Sequence, residues 1–232
     1  LNDLVLCGAW AWYLYRRCLA PGRWIPADFT RDLDCIGPER LPVRGKALFD
    51  LLEDGGFEWV PRGSETPAVT HFAWPDRDQA AVEIEFLVPA RGDGTRRIIE
   101  LQPNLTAQAL RHLEILTDKP LELAIEERSP IGAELAFRGS VWVPRVGHFA
   151  IQKALIHNRR NRAEQVKDLF YVFELIDREN GLAKVVSEDV VAADTGWKRG
   201  VDQFIQLLER RAGERPFLKA LSEQYPVERR PP

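Results

Sequence analysis

The stretch "TRDLDCIG", residues 30–37, places two aspartates two positions apart on an apolar background, with a threonine before them and a glycine after them. We predict a strand over residues 30–36. Side chains at positions i and i+2 of a strand point to the same face, so Asp32 and Asp34 project together. Neighbouring carboxylates repel each other unless a cation lies between them, and Mg²⁺ commonly binds one or two carboxylates together with substrate phosphate oxygens. The stretch therefore predicts a metal site, with a solvated acidic surface as the alternative.

A second acidic strand is predicted further along the chain. The stretch "VEIEFLVP", residues 82–89, alternates Glu83 and Glu85 with apolar residues. If this strand lies beside the first one, one of the two glutamates completes a cluster of three carboxylates. Alternating acids are also typical of the wet face of an antiparallel sheet, and that interpretation remains the alternative.

Composition and charge set broad limits on function. The chain has 232 residues, of which 45% are hydrophobic and 29% charged, as in an ordinary globular protein. A net charge of −3 gives no global basic footprint, so contact with a polyanion requires a local cluster of cations. The three cysteines have no metal-type pairing, which favours a reducing, cytoplasmic location. No apolar run is long enough to span a membrane, and we predict no targeting signal and no membrane partner.

The pattern of apolar residues predicts an α+β protein. Residues 4–18 are expected to form a buried helix, and the stretch "GKALFDLLEDGGFEWV" a helix that stops at Gly55 and Gly56 before another strand. Residues 68–74 and 81–88 alternate and are predicted to be adjacent strands of one sheet. Further strands are expected in "RRIIEL", "LELAIEE" and "SVWVP".

The character of the sequence changes after Pro144. The stretches "HFAIQKALIHN", "AEQVKDLFYVFELID" and "VDQFIQLLERRA" are amphipathic at helical spacing. We therefore predict an α/β core over residues 1–144 and a mainly helical C-terminal region over residues 145–232.

Several of these motifs together resemble a known family. "LCGAWAWYLY", "TRDLDCIG" and "VEIEFLVP" resemble the signature of the polymerase-β-like nucleotidyltransferase superfamily, which has a helix with a small-residue pair, a T-x-D-h-D strand and a later acidic strand. The stretch "HFAIQKALIHNRRNRAEQVKDLFYVFEL" is similar to the helical part of its minimal bacterial branch, as in the abortive-infection type E toxins. The resemblance implies a nucleotidyltransferase-like mixed sheet flanked by helices and followed by a mainly helical part.

The resemblance also implies roles for residues of the first half. Gly8 and Ala9 would lie at a helix N-terminus that approaches nucleotide phosphates, where free amides and the helix dipole favour anions. Asp32 and Asp34 match the two metal ligands of the family. Glu85 matches the third carboxylate, which is also the natural base for the attacking hydroxyl, and Glu83 is the alternative because one sequence does not decide which glutamate faces the site.

A cationic stripe is expected in the second half. Lys153, Arg160 and Lys167 are spaced seven residues apart, so a continuous helix would align them and hold a triphosphate against the carboxylates. In the resemblance, Asp168 positions a lysine or touches the nucleotide. A solvated cationic face is the alternative, and a break of the helix at "NRRNR" would abolish the stripe. The histidines are scattered in the sequence, with none at metal-ligand spacing.

The expected function is metal-dependent nucleotidyl transfer. With Mg²⁺ (or Mn²⁺) as cofactor, the protein would move a nucleoside monophosphate from an NTP, such as ATP, to a hydroxyl of an acceptor that is a tRNA end, a protein or a small molecule. Several features depart from the family: Ala9 lacks a serine hydroxyl, Asp28 stands where an arginine is often found, the first loop is long, and Tyr171 replaces the last aspartate of a K-D-x-x-D pattern. The alternative is therefore an inactive relative that senses nucleotides or binds a partner in a defence or toxin-antitoxin pair. The sequence predicts no oligomeric state.

Overall fold

The sheet and helices are seen in a computed structural model, which describes residues 3–20, 32–62, 69–74, 82–92, 97–126, 132, 138–176 and 182–212. Thr30 of the first motif lies outside the described residues. The strand of that motif is described from Asp32 onward and ends at Ile36, as predicted. Within the described part of the chain, no helix is both long and apolar enough to cross a membrane.

Seven described strands form one mixed sheet, and two more form a separate hairpin-like pair. The central strand, Val82–Pro89, coincides with the second acidic motif. The strands are β1 (Val5–Leu6), β2 (Asp32–Ile36), β3 (Glu58–Arg62), β4 (Val69–Trp74), β5 (Val82–Pro89), β6 (Ile98–Gln102) and β7 (Leu105–Leu110) in the sheet, and β8 (Leu121–Ile125) and β9 (Gly139–Val143) in the pair.

Strand β5 organises the sheet. It pairs in parallel with β2, antiparallel with β4, and in parallel with β7 through its last residues. The predicted adjacency of the strands at 68–74 and 81–88 is therefore confirmed, and the two acidic motifs are neighbours. Strand β7 was not predicted, because "LTAQAL" contains few of the β-branched and aromatic residues that mark strands. Its partner β6 pairs with it along nearly its whole length.

The first predicted helix begins later than expected. Val5 and Leu6 pair with Ile36 and Cys35 as strand β1, so residues 4–7 are not helical. The prediction was wrong there because an apolar run of this length suits either a buried helix or a strand, and pairing with β2 decides between them. Helix α1 spans Gly8–Leu14 and continues as a π-helical turn over Tyr15–Leu19.

The remaining helices include the predicted ones, but the short helix Glu114–Thr117 was not predicted, and the last helix begins at Ala183, well before the predicted stretch that starts at Val201. Helix α2 ends just before Gly55, as expected. The long helix near the C-terminus is interrupted at Trp197, whose backbone angles (φ −127°, ψ 25°) are not helical. The helices are α2 (Leu48–Asp54), α3 (Glu114–Thr117), α4 (Val146–Ile156), α5 (Arg162–Ile176) and α6 (Ala183–Ala212).

Helix α1 joins the sheet to the C-terminal helices. Tyr15 is fully buried, its hydroxyl donates a 2.7 Å hydrogen bond to the carbonyl of Pro144, and its ring meets Phe149 edge-on. Trp12 stacks at a tilt on Tyr171, with ring centroids 4.9 Å apart. One hydrophobic core therefore runs from α1 to the helices α4, α5 and α6, and a second lies on the sheet around Phe72. The division after residue 144 stays a prediction.

Candidate functional site

The register between β2 and β5 brings the two acidic motifs together. Asp32 is paired with Glu83, and Asp34 is paired with Glu85, in parallel strands. Residues paired in adjacent parallel strands project to the same face of the sheet. The four carboxylates therefore share one face of the sheet, and the choice between Glu83 and Glu85 as the third ligand stays a prediction.

Glycine 8 makes room for one of these carboxylates. The amide of Cys7 donates a 2.8 Å hydrogen bond to the carbonyl of Asp34, so the start of α1 is held against β2. Gly8 has φ +65°, in the left-handed region that favours glycine. A Cβ atom at this position would overlap Oδ2 of Asp34. The small residue predicted at the start of the helix is thus in direct contact with a predicted metal ligand.

The cluster is crowded with negative charge. Burial, and next the charge of Glu85, raise the pKa of Asp34 to about 6, and Asp32 acts in the same direction. Lys153 and Lys167 oppose the rise, so the charge of both predicted lysines reaches this carboxylate. An unneutralised carboxylate of this kind is stabilised by a bound cation.

A histidine joins the carboxylates in space. His71 is paired with Glu85 across β4 and β5, and its Nδ1 lies 3.2 Å from Oε1 of Glu85. Ligand atoms of His71, Glu83 and Glu85 lie within 4.8 Å of one another. The spacing of the histidines along the sequence did not indicate this arrangement, because antiparallel pairing of β4 with β5 brings together residues that are distant in sequence. Among the described residues, the ligand atoms of Asp32, Asp34 and Glu85 do not all lie within that distance of one another.

The donor set fits a divalent cation. Carboxylate oxygens are hard ligands that suit Mg²⁺ and Mn²⁺, and an imidazole nitrogen is a better ligand for Mn²⁺ than for Mg²⁺. Nδ1 of His71 is buried and forms no hydrogen bond with the described residues, although it lies beside Glu85. A cation at the cluster would supply that nitrogen with a partner and offset the repulsion that raises the pKa of Asp34.

The predicted cationic stripe is replaced by a buried ion pair. The helix breaks at residues 157–161, so Lys153 lies on α4, whereas Lys167 and Asp168 lie on α5. Lys153 Nζ is 2.8 Å from Oδ1 of Asp168, and both side chains are buried. Arg160 Nε is 3.6 Å from Oδ2 of the same aspartate. The break that would abolish a continuous stripe is therefore present, yet tertiary packing reunites two of its three cations.

Tyr171 occupies the position where the resembled pattern has an aspartate. It is buried against Trp12 and Phe149, and Lys153 Nζ lies 5.9 Å from the centroid of its ring. The ring of Tyr171 therefore makes a cation-π contact with Lys153. Asp168 is left as the carboxylate that holds this lysine.

A cleft of about 640 Å³ connects the acidic and basic sides. Gly8, Asp34 and Glu85 line one part of it, and Lys153 and Arg160 line another, whereas Ala9, Asp32, Lys167 and Asp168 are not among the lining residues. The cleft also contains polar side chains that sequence reasoning missed, namely Arg97, Gln108, Arg111, Gln152 and Arg159. The sequence contained a signal for one of these residues, since Arg159 belongs to the basic stretch "NRRNR". The positions of Gln108 and Arg111 depend on strand β7, which was not predicted.

Comparisons with known proteins agree with this geometry at the level of the family. None of the curated proteins matches the sequence significantly. The crystal structure of an antigenic nucleotidyltransferase-like protein from Paracoccidioides brasiliensis is similar at 15% identity and a TM-score of 0.42, over 87% of this chain and 84% of that one. Likeness at that score does not by itself establish a common fold, whereas a family model described as nucleotidyltransferase matches residues 2–176, about three quarters of the chain. The chain therefore belongs to this nucleotidyltransferase family.

Proposed function

We propose that the protein is a metal-dependent nucleotidyltransferase that moves a nucleoside monophosphate from an NTP to a hydroxyl of an acceptor. The observation that carries the proposal is the parallel register of Asp34 with Glu85 on one wall of a cleft whose other wall carries Lys153. A volume of about 640 Å³ lies within the range of small-molecule and cofactor sites.

Asp32, Asp34 and Glu85 would hold Mg²⁺ or Mn²⁺, with Glu83 and His71 as further donors. When bound, such a cation stabilises charge on phosphate oxygens and favours deprotonation of a hydroxyl. The raised pKa of Asp34 supports this assignment, because burial and neighbouring Glu85 leave a carboxylate that is poorly neutralised by the protein alone. His71 would orient Glu85, from which its Nδ1 is 3.2 Å away.

In the reaction, the acceptor oxygen forms a bond to the α-phosphorus of the NTP, and the bond from that phosphorus to the bridging oxygen of the β-phosphate breaks. The acceptor proton passes to Glu85 as general base, and pyrophosphate leaves. Proton transfer to a positioned carboxylate contributes about 10²–10⁴-fold in rate. Glu85 is half-buried and lines the cleft, which suits this role.

The charge that develops on pyrophosphate requires cations on the protein. Lys153 lines the cleft and is fixed by Asp168, so its ammonium is held in position before the substrate arrives. Such preorganised charge is more effective in a partly dehydrated cleft than in water. Arg160 lies on the same side, and Lys167 is exposed on α5 but acts on Asp34 through its charge. Gly8 and Ala9 would let the phosphates approach the start of α1.

A second candidate function is an inactive relative that binds nucleotides or a partner in a toxin-antitoxin or other defence pair. Tyr171 favours it, because the resembled pattern has a carboxylate where this chain has a core aromatic residue. We likewise propose that the protein is related to the abortive-infection type E branch and that it is cytoplasmic. The two candidate functions differ in whether any label leaves the NTP.

The test is transfer of label from each of the four NTPs, labelled at the α-phosphate, to separate pools of RNA, protein and small metabolites in the presence of Mg²⁺ or Mn²⁺. We expect label in one pool with the parent protein and none with Asp32→Asn/Asp34→Asn. Glu58→Gln/Glu100→Gln is the matched control, because both glutamates are exposed on the sheet outside the cluster. Nucleotide binding without transfer to any pool would favour the inactive relative.

A further inference from the structure

A second pocket of about 480 Å³ adjoins the cleft. It lies between the end of β7 and the helices α4 and α6. Arg111 and Arg159 line both cavities, so the two are adjacent and share these side chains. A chain bound in the second pocket would therefore lie next to the cleft that Asp34 and Glu85 line.

The second pocket is strongly basic. Four of its nine lining residues are cationic and none is acidic, the four being Arg111, Arg159, Lys198 and Arg199. In a protein with a net charge of −3, this is a local concentration of positive charge. Glu114 and Asp118 lie nearby, the first acting on His112 and the second accepting a hydrogen bond from Trp197. Within the described residues, Arg159 and Arg199 form no ion pair with either.

Two residues of the pocket have unusual backbone conformations. His112 has φ +67°, in a region that non-glycine residues rarely adopt, and Trp197 interrupts α6. Burial, and next the charge of Arg159, lower the pKa of His112, with Arg111 and Arg199 acting in the same direction. The charges of these three arginines therefore reach His112, which lines the same pocket. A left-handed backbone at a non-glycine residue such as His112 is concentrated at functional sites.

The pocket is also lined by one aromatic residue, Trp197. The indole nitrogen of Trp197 donates a 3.1 Å hydrogen bond to Oδ2 of Asp118, which holds the ring in place. Gly200 is buried against α4, where a Cβ atom would lie 2.7 Å from Cγ2 of Ile151. The close approach of α6 to α4 at this glycine forms the floor beneath the cations.

We propose that this basic pocket binds the phosphate backbone of a single-stranded polynucleotide, whose terminal hydroxyl enters the cleft and accepts the nucleotidyl group. The inference rests on the proposed function and names its acceptor. A triphosphate bound at Lys153 and the carboxylates has no need of Lys198 and Arg199, which do not line the cleft. A polynucleotide presents repeated phosphates, bases that stack on an aromatic ring, and a hydroxyl at its end, which are the three features that this surface matches.

The binding test uses a 5′-fluorescein-labelled RNA of about 12 nucleotides, within the site sizes of single-strand binders, and a DNA of the same sequence. Anisotropy is measured in EDTA without NTP, over a series of KCl concentrations. The pocket variant is Lys198→Gln/Arg199→Gln, and the matched control is Lys184→Gln/Arg210→Gln. All four residues are exposed on α6, so both variants remove the same charge from the same helix without disturbing the core.

We expect the pocket variant to bind the oligonucleotide about tenfold more weakly, while the control stays within about twofold of the parent. The slope of log K against log salt should fall in magnitude by about 1.4 for the two lost cations. Equal affinity of the two variants would overturn the proposal. Competition by poly-L-glutamate as strong as that by unlabelled oligonucleotide would also overturn it, because the pocket would then be assigned to an acidic protein. The comparison of RNA with DNA decides which sugar is accepted.

Two further measurements separate this proposal from the proposed function. Asp32→Asn/Asp34→Asn should bind the oligonucleotide as the parent does, since neither residue lines the basic pocket. The pocket variant should bind an NTP with Mn²⁺ unchanged, and weakened NTP binding would make the pocket part of the nucleotide site and overturn the inference. Because the anisotropy assay contains no NTP and no metal, its result is independent of whether transfer is detected.

Discussion

Gly8 lies directly against the carboxylate of Asp34, so that a methyl group in place of its hydrogen would overlap Oδ2. We predict that Gly8→Ala displaces this carboxylate and weakens Mn²⁺ binding by about tenfold or more, the size of effect seen when support of a metal ligand is lost. Isothermal titration calorimetry with Mn²⁺, in the presence of a non-hydrolysable NTP, measures the change.

The control for this prediction is Gly45→Ala. Gly45 also has a positive φ, of +85°, but a Cβ atom there would meet nothing within 4 Å. Both alanine variants carry the cost of about 1 kcal/mol for an L-residue in the left-handed region, so only Gly8→Ala should change metal affinity. Equal affinities in the two variants would separate Gly8 from the metal site.

The raised pKa of Asp34 predicts a pH dependence of stability in the absence of metal. Its carboxyl is protonated in the fold up to about pH 6, whereas in the unfolded chain it ionises near pH 4. Its contribution to stability is therefore present below about pH 4 and is lost as pH rises through about 6. We expect Asp34→Asn to raise the free energy of unfolding at pH 7.5, in EDTA, by roughly 2–3 kcal/mol relative to the parent, with little difference at pH 4.

Urea unfolding at several pH values tests this expectation. Glu100→Gln serves as the control, because Glu100 is exposed on β6 outside the cluster and its replacement removes an equal charge from the sheet. If the free energy of unfolding of Asp34→Asn changes with pH in parallel with that of the parent, the ionised carboxylate of Asp34 does not destabilise the fold. Saturating Mn²⁺ should reverse the order, since it stabilises the parent by mass action and leaves Asp34→Asn unaffected.

Much of this sheet was predictable, because alternation of apolar and polar residues determines strands directly. Strands β2, β4 and β5 follow the predicted stretches closely, and the expected neighbours are neighbours. Strand β7 was missed, since residues 105–110 have little β-branched character and depend on pairing with β5 and β6. The prediction of a helix over residues 4–18 was wrong in part for a similar reason, because the pairing of Val5 and Leu6 with β2 overrides the local preference.

The site was predicted less completely than the sheet. The i, i+2 pattern indicates which carboxylates share a face, but it contains no information about which strands pair or in which register. The sequence therefore did not predict that His71 lies beside the carboxylates, where its pairing with Glu85 places it. The spacing of Lys153 and Lys167 suggested one helix, whereas Lys153 meets Asp168 across the gap between two helices. Contacts between helices depend on packing angles that a single sequence does not contain.

His71 provides a prediction about metal preference. If its imidazole donates to the cation, His71→Asn should weaken Mn²⁺ binding more than Mg²⁺ binding, because nitrogen ligands favour Mn²⁺ over Mg²⁺. Calorimetric titration with each metal gives the ratio of the two affinities. His112→Asn is the control, since His112 lies in the basic pocket, and asparagine tolerates its left-handed backbone. A ratio that is the same in both variants would assign His71 to the positioning of Glu85 alone.

The ion pair of Lys153 and Asp168 allows stability to be separated from catalysis. Both side chains are buried, and, within the part of the chain that the structure describes, Lys153→Gln leaves Asp168 with Arg160, at 3.6 Å, as its remaining ion-pair partner. Removing one partner of a buried pair destabilises a fold by about 3–5 kcal/mol, whereas replacing both partners by apolar residues of similar volume is often neutral. We therefore expect Lys153→Gln to lower the free energy of unfolding and Lys153→Met/Asp168→Leu to restore most of it.

We expect that Lys153→Met/Asp168→Leu restores stability but does not restore nucleotidyl transfer. If Lys153 neutralises the charge that develops on pyrophosphate, the stable Lys153→Met/Asp168→Leu protein should bind an NTP but transfer label at least about 10²-fold more slowly than the parent, the loss that follows removal of one preorganised transition-state contact. Lys167→Gln is the comparison, because this exposed lysine acts on Asp34 only through its charge, and its loss should lower turnover more than NTP affinity. Full transfer by the double variant would leave Lys153 a purely structural role, and unchanged transfer and NTP affinity in Lys167→Gln would remove that lysine from the mechanism.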